Sequence, residues 1–135
     1  MADVDAAVTD THALLFHAAG SGRLGTKAAR VFERCEQRAA IVYVPAAVMW
    51  ETSLLTRLSR INLHRGVRAF FADLFSNPAF QPLELTAEHV FEADTLSFTH
   101  DPFDALIVAA ARTLRIPLVT RDLQIQESRA VPTVW

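Results

Sequence analysis

A chain of 135 residues, 51% of them apolar, carries enough hydrophobic material for one buried core and too much for a disordered segment. Thirteen basic residues against fifteen acidic ones leave a formal charge of −2, which excludes a strong uniform positive field; any contact with nucleic acid must come from local patches. The lone cysteine, Cys35, excludes an internal disulfide and reads as a packed thiol in a reducing compartment rather than a nucleophile.

The first ten residues hold three aspartates and no basic residue, the wrong chemistry for a secretory signal, and no apolar run approaches membrane-spanning length, so the expected location is the cytoplasm. In chain order, a β-rich run at 7–9 is followed by a helical pattern over 26–37, where Ala29, Val31 and Phe32 are spaced between charges. A second strand at 41–44 leads into a strong helix former over 46–58, and bulky apolar positions repeat over 67–75. A third strand is expected at 83–85, then a helix over 87–98 and an alanine-rich helix over 103–114. Strands at 117–120 and 133–135 close the chain. Strands alternating with helices predict an α/β fold: a three-layer α/β/α sandwich with a mostly parallel sheet of four to five strands, as a single domain over 1–135.

In an open α/β sheet, functional groups collect beyond the carboxyl ends of the strands. Asp10 closes the first strand and Asp122 lies two residues past Thr120. Asp104 sits in the first turn of the helix beginning near Pro102, and Glu51 lies among Val48, Trp50, Leu54 and Leu55, where a charge needs a reason. Each acid also has an ordinary reading. Asp10 and Thr11 suit a helix start, Asp101-Pro102-Phe103-Asp104 a capped helix with proline at its first position, Asp122 a turn, and Glu51 a solvated helix face. Taken singly those readings are favoured. Four acids converging on one rim, however, repel strongly in low dielectric and are tolerable chiefly when a cation neutralises them. Carboxylate ligands without cysteine suit Mg²⁺ or Mn²⁺ rather than zinc, and no HxxxH pairing is present. His12 and His100 adjoin the acids and read first as surface or helix-end residues.

At these residues the chain resembles the PIN-domain family, and particularly the VapC-type toxins of type II toxin–antitoxin pairs. The resemblance runs through Asp10-Thr11 with Leu14-Leu15, Trp50-Glu51, the stretch from His100 through Asp101-Pro102-Phe103-Asp104 to Ala109, Pro117 to Asp122, and Val134-Trp135. It implies a Mg²⁺-dependent endoribonuclease in which Asp10, Glu51, Asp104 and Asp122 are the catalytic, metal-holding acids. Thr11, Asp101 and Thr120 would be supporting residues, with Asp101 either helix cap or outer acid. Metal-assisted in-line attack of water on an RNA phosphodiester is the implied chemistry. The resemblance also implies an antitoxin partner and a homodimer. One departure is Ala105, where many relatives carry arginine.

Substrate grip is less defined. Arg57, Arg60, His64 and Arg68 would share one face if a single helix ran through them, although Ile61-Asn62-Leu63 argues against it. Phe70, Phe71 and Phe75 are available for partner contacts, but core packing explains aromatics at helical spacing better. Three rival readings stand beside the ribonuclease: a PIN-fold RNA- or protein-binding regulatory module with little turnover, a Mg²⁺-dependent phosphotransfer domain, and a DNA-directed nuclease. The phosphotransfer reading is poor because the only lysine, Lys27, is not at a strand end.

Overall fold

Short apolar runs with β-branched residues and no alternation of polar ones favour strands covered on both faces, and four of the five strands at the centre of the molecule are of this kind. The computed structural model describes residues 3–135. Its elements are β1 (Ala6–Thr9), α1 (Thr11–Ala18), α2 (Thr26–Glu36), β2 (Ile41–Pro45), α3 (Ala46–Arg57), α4 (Val67–Leu74), β3 (Phe80–Leu83), α5 (Ala87–Asp94), α6 (Pro102–Leu114), β4 (Leu118–Val119), α7 (Leu123–Ser128) and β5 (Thr133–Val134). The sheet is parallel throughout, in the order β3-β2-β1-β4-β5. Neighbouring residues of a strand point to opposite faces, and Ala7, Val8, Leu118 and Val119 are all fully buried. Helices therefore cover both faces, as expected for an α/β sandwich.

That strand order positions the site. From β1 the chain moves outward to β2 and β3, then returns to lay β4 on the other side of β1 before adding β5. The reversal opens a crevice beyond the carboxyl ends of β1 and β4. Val8 pairs with Leu118 and Thr9 with Val119, and the Asp10 N–H donates to the Val119 carbonyl at 3.1 Å. The residues that follow the two strands thus emerge side by side. Helix α6 approaches them from below: Ile107, Val108, Ala109, Ala110 and Ala111 are all buried, and the three alanines let the helix pack closely against its neighbours.

Several local expectations shift. The third strand covers Phe80–Leu83 instead of 83–85, because Phe80 is the buried anchor while Leu85 is 49% exposed. Pro82 is accommodated because β3 is an edge strand, where no neighbour needs its missing N–H. Helix α5 stops at Asp94, four residues short of 98, and α7, only six residues long, was not expected at all. No single helix carries Arg57, Arg60, His64 and Arg68: α3 ends at Arg57, Ser59 and His64 take left-handed backbone angles of +56° and +60°, and α4 begins at Val67. Phe70 and Phe71 are buried in the core, so they are not spare contact residues. Cys35 is buried as well, and burial pushes its thiol up to about 11, in keeping with an inert packed side chain.

Candidate metal and active site

Three of the acids begin helices. Asp10 caps α1, its Oδ1 accepting from the Ala13 N–H at 2.8 Å; Asp122 caps α7, accepting from the Ile125 N–H at 3.0 Å. Asp101 caps α6, where its Oδ1 accepts from the N–H groups of Phe103 at 2.8 Å and Asp104 at 3.0 Å, with Pro102 supplying the preset first helical position. The capping reading of Asp10 and Asp101 is therefore correct as far as it goes, and Asp122, read as a turn residue, caps a helix too. Each cap engages one carboxylate oxygen, so capping and a role in the crevice are compatible.

Two buried threonines orient the acids. Thr11, 1% exposed, donates its hydroxyl to Glu51 Oε1 at 2.5 Å. Thr120, fully buried, accepts from the Asp122 N–H at 3.0 Å, and its hydroxyl favours the ionised form of the Asp10 carboxyl against the effect of burial. One hydroxyl thus acts on both acids that follow β1 and β4. Thr11 holds a carboxylate and Thr120 the backbone of Asp122.

Asp10, Glu51, Asp101, Asp104 and Asp122 line one pocket of about 320 Å³, together with Thr11, His12, Ile107 and Arg121. His100 is not part of its lining, and neither are Arg57, Arg60, His64 and Arg68. Arg57 lies over the Trp50 ring instead, 5.2 Å from its centroid. Sequence reasoning missed Arg121, whose signal was a guanidinium directly preceding a strand-end aspartate.

The electrostatics follow from this crowding. Burial raises Asp104 to about 7, and the charges of Asp101, Asp122, Glu51 and Asp10 push in the same direction. Burial also raises Asp10, and Asp122 adds to the effect, while the Thr120 hydroxyl, the Ala13 N–H and His12 oppose it. Among the described residues, no group of three or more His, Cys, Asp or Glu side chains is arranged to hold a metal ion as it stands. The donor chemistry nevertheless fits an oxygen-preferring divalent cation: several carboxylates, a threonine hydroxyl and no thiolate. A carboxyl raised to about 7 by burial first and by its acidic neighbours second marks a site short of positive charge.

The PIN domain family model matches residues 7–130. No curated protein sequence matches the chain significantly. Among solved structures, VapBC2 from Rickettsia felis, bound to a DNA fragment from its promoter, aligns with a TM-score of 0.68 at 12% identity, covering 95% of this chain and 96% of that one. FitAB bound to an IR36 DNA fragment aligns at 0.60 and 18% identity over 93% and 92% of the two chains. A toxin–antitoxin complex from Klebsiella pneumoniae gives 0.57 and 18% identity over 86% of each. With a family match over 7–130, which takes in β2, β3, β4 and all the acids of the pocket, this chain belongs to the PIN domain family.

Proposed function

We propose that this chain is a divalent-metal-dependent endoribonuclease and the toxin component of a type II toxin–antitoxin pair. The observation that carries the reading is the convergence of Asp10, Glu51, Asp104 and Asp122 on one pocket, with Asp104 raised to about 7 by burial and by the others. PIN domains are generally nucleases, and the fold neighbours named above come from toxin–antitoxin complexes; both support the reading.

In this account the four acids hold Mg²⁺ or Mn²⁺, which when bound would lower the pKa of an attacking water and neutralise charge on the attacking and leaving oxygens of the phosphodiester. The chain's own residues keep the ligands in place. Thr11 fixes the rotamer of Glu51, and Thr120 holds the backbone of Asp122 and favours the ionised form of Asp10. Asp101 serves as a cap rather than a ligand, anchoring the first turn of α6 and so the direction in which Asp104 projects. Asp104 must be ionised to ligate, which couples its deprotonation to cation binding.

The partners in this reading are RNA, a cognate antitoxin and a second copy of the chain. Sedimentation showing a dimer at micromolar concentration is the expected result for the last. Among the described residues, no helix is long and apolar enough to cross a membrane. The direct test is incubation of the purified protein with structured RNA, unstructured RNA and DNA, in Mg²⁺ or Mn²⁺ and again in EDTA. Metal-dependent cutting of RNA and not DNA supports the proposal. A folded protein that binds Mg²⁺ and cuts no RNA points to a regulatory binding module instead.

A further inference from the structure

Phe16 carries two guanidinium groups over its ring. Arg121 Cζ lies 4.7 Å from the ring centroid and Arg23 Cζ 5.6 Å. Trp135 meets the ring edge-on at 6.5 Å and His12 tilts against it at 6.3 Å, so a buried aromatic forms a fixed seat for both cations. Elsewhere Arg30, Arg34, Arg65 and Arg112 all find carboxylates. Arg23 and Arg121 are exposed and form no ion pair among the described residues, although Arg121 lines the same pocket as five acids. Two like charges held over one ring repel each other, and an anion bridging them removes that repulsion.

Their placement indicates which anion. Arg121 borders the acidic pocket, while Arg23 borders an adjoining groove of about 880 Å³ that shares His12 and Glu51 with it. Leu15, Leu55 and Leu63 line this groove, and Arg60 and His64 stand along it. Apolar walls with cations beside them, continuous with a phosphodiester-cleaving pocket, match an unstacked nucleotide with its phosphates. A duplex keeps its bases stacked and would gain nothing from the apolar walls.

We propose that Arg23 and Arg121, seated on Phe16, clamp a phosphate next to the one acted on by the carboxylates, and that the adjoining groove takes the unstacked nucleotide. This rests on the nuclease reading. A protein chain could use the leucines, but two unpaired guanidinium groups beside the acidic pocket fit a polyanion that passes from one to the other.

Binding separates from cleavage when anisotropy of a labelled single-stranded RNA is measured in EDTA. The expected result is that Arg23→Ala with Arg121→Ala weakens binding about tenfold or more and lowers the slope of log affinity against log salt by about 0.7 for each phosphate no longer neutralised. Arg23→Lys with Arg121→Lys retains the salt slope at intermediate affinity, and duplex RNA of the same sequence binds more weakly than the single strand. Circular dichroism of the variants should match the parent, because both side chains are exposed. Clamp-dependent binding supports the inference even if the parent cuts no RNA in Mg²⁺, an outcome that would fail the nuclease reading alone. Parental affinity and salt slope in the double alanine variant, or duplex binding as tight as single-strand binding, overturns it and leaves the groove to a protein occupant.

Discussion

The Thr11 hydroxyl donates to Glu51 Oε1, tying the first turn of α1 to the middle of α3. Thr11 is 1% exposed, so the bond lies where water competes little and a charge-assisted hydrogen bond is strongest. Thr11→Val keeps the shape and removes the donor. Cleavage in Mg²⁺ should fall about tenfold, the size expected when one charge-assisted bond is removed, with a higher Mg²⁺ requirement and a loss of about 1–3 kcal/mol in stability that leaves the protein folded. An unchanged rate would separate Thr11 from the chemistry.

Asp104 makes the metal-free protein pH-sensitive. Its carboxyl lies at about 7 in the folded state against 3.8 for the ordinary group. Between those values the folded state holds more protons than the unfolded state, so this component of stability is lost as pH rises through the interval and is constant above it. In EDTA near pH 8, Asp104→Asn should therefore be more stable than the parent by on the order of 1–2 kcal/mol after allowing for solvent that reaches the site. The gain should shrink toward about pH 4, and saturating Mg²⁺ should reduce it by stabilising the parent's ionised acid. Urea denaturation across pH, with equal stability of the two proteins throughout, would contradict this.

Gly25 is where the chain's last strand meets α2. A Cβ there would overlap the Trp135 carbonyl oxygen, the same oxygen that accepts from the Ala28 N–H at 2.9 Å. Gly25→Ala should cost about 1–3 kcal/mol, as for other overpacked sites, and expose Trp135, which is readable as a red shift in its fluorescence. Parental stability would mean that the segment after β5 yields without cost.

His89 supplies a second pH dependence, of opposite sense. It completes a capping box with Thr86, its Nδ1 accepting from the Thr86 N–H while its own backbone N–H donates to Thr86 Oγ1. Burial lowers its pKa, so the unfolded state binds the proton first and stability is lost as pH falls below about 6.5. His89→Gln retains an acceptor at every pH and should flatten the dependence in that range. An NMR titration that places His89 above the ordinary histidine value would refute the assignment.

The legible parts of this molecule are the local ones. Asp10, Asp104 and Asp122 could be found in the sequence because a strand end and a capped helix are short-range features, and Asp101-Pro102-Phe103-Asp104 spells its helix start in four residues. The parallel α/β sheet followed from alternating elements. Glu51 could be suspected from its apolar surroundings, but its tie to Thr11 joins residues forty positions apart and has no sequence period. The seat that Phe16 makes for Arg23 and Arg121 was hidden for the same reason, since α1, the loop after it and the β4 end meet only in the folded chain. The basic strip over 57–68 failed because Ser59 and His64 adopt left-handed angles that end one helix and precede the next. Strand β3 was displaced because Leu83 and Leu85 offered alternation, while burial selected Phe80.

The central claim is that the carboxylates of the switch-point pocket, Asp104 among them, hold a metal that cuts RNA. The most direct measurement compares parent and Asp104→Asn for cleavage of single-stranded RNA over a Mg²⁺ titration, with Mg²⁺ binding followed by calorimetry and folding by circular dichroism. The account predicts metal-dependent cutting by the parent, abolished by EDTA, and weak Mg²⁺ binding with cleavage reduced at least about a hundredfold in the variant, as expected when electrostatic stabilisation of the transition state is removed. A folded Asp104→Asn protein that cuts RNA at the parental rate would contradict it.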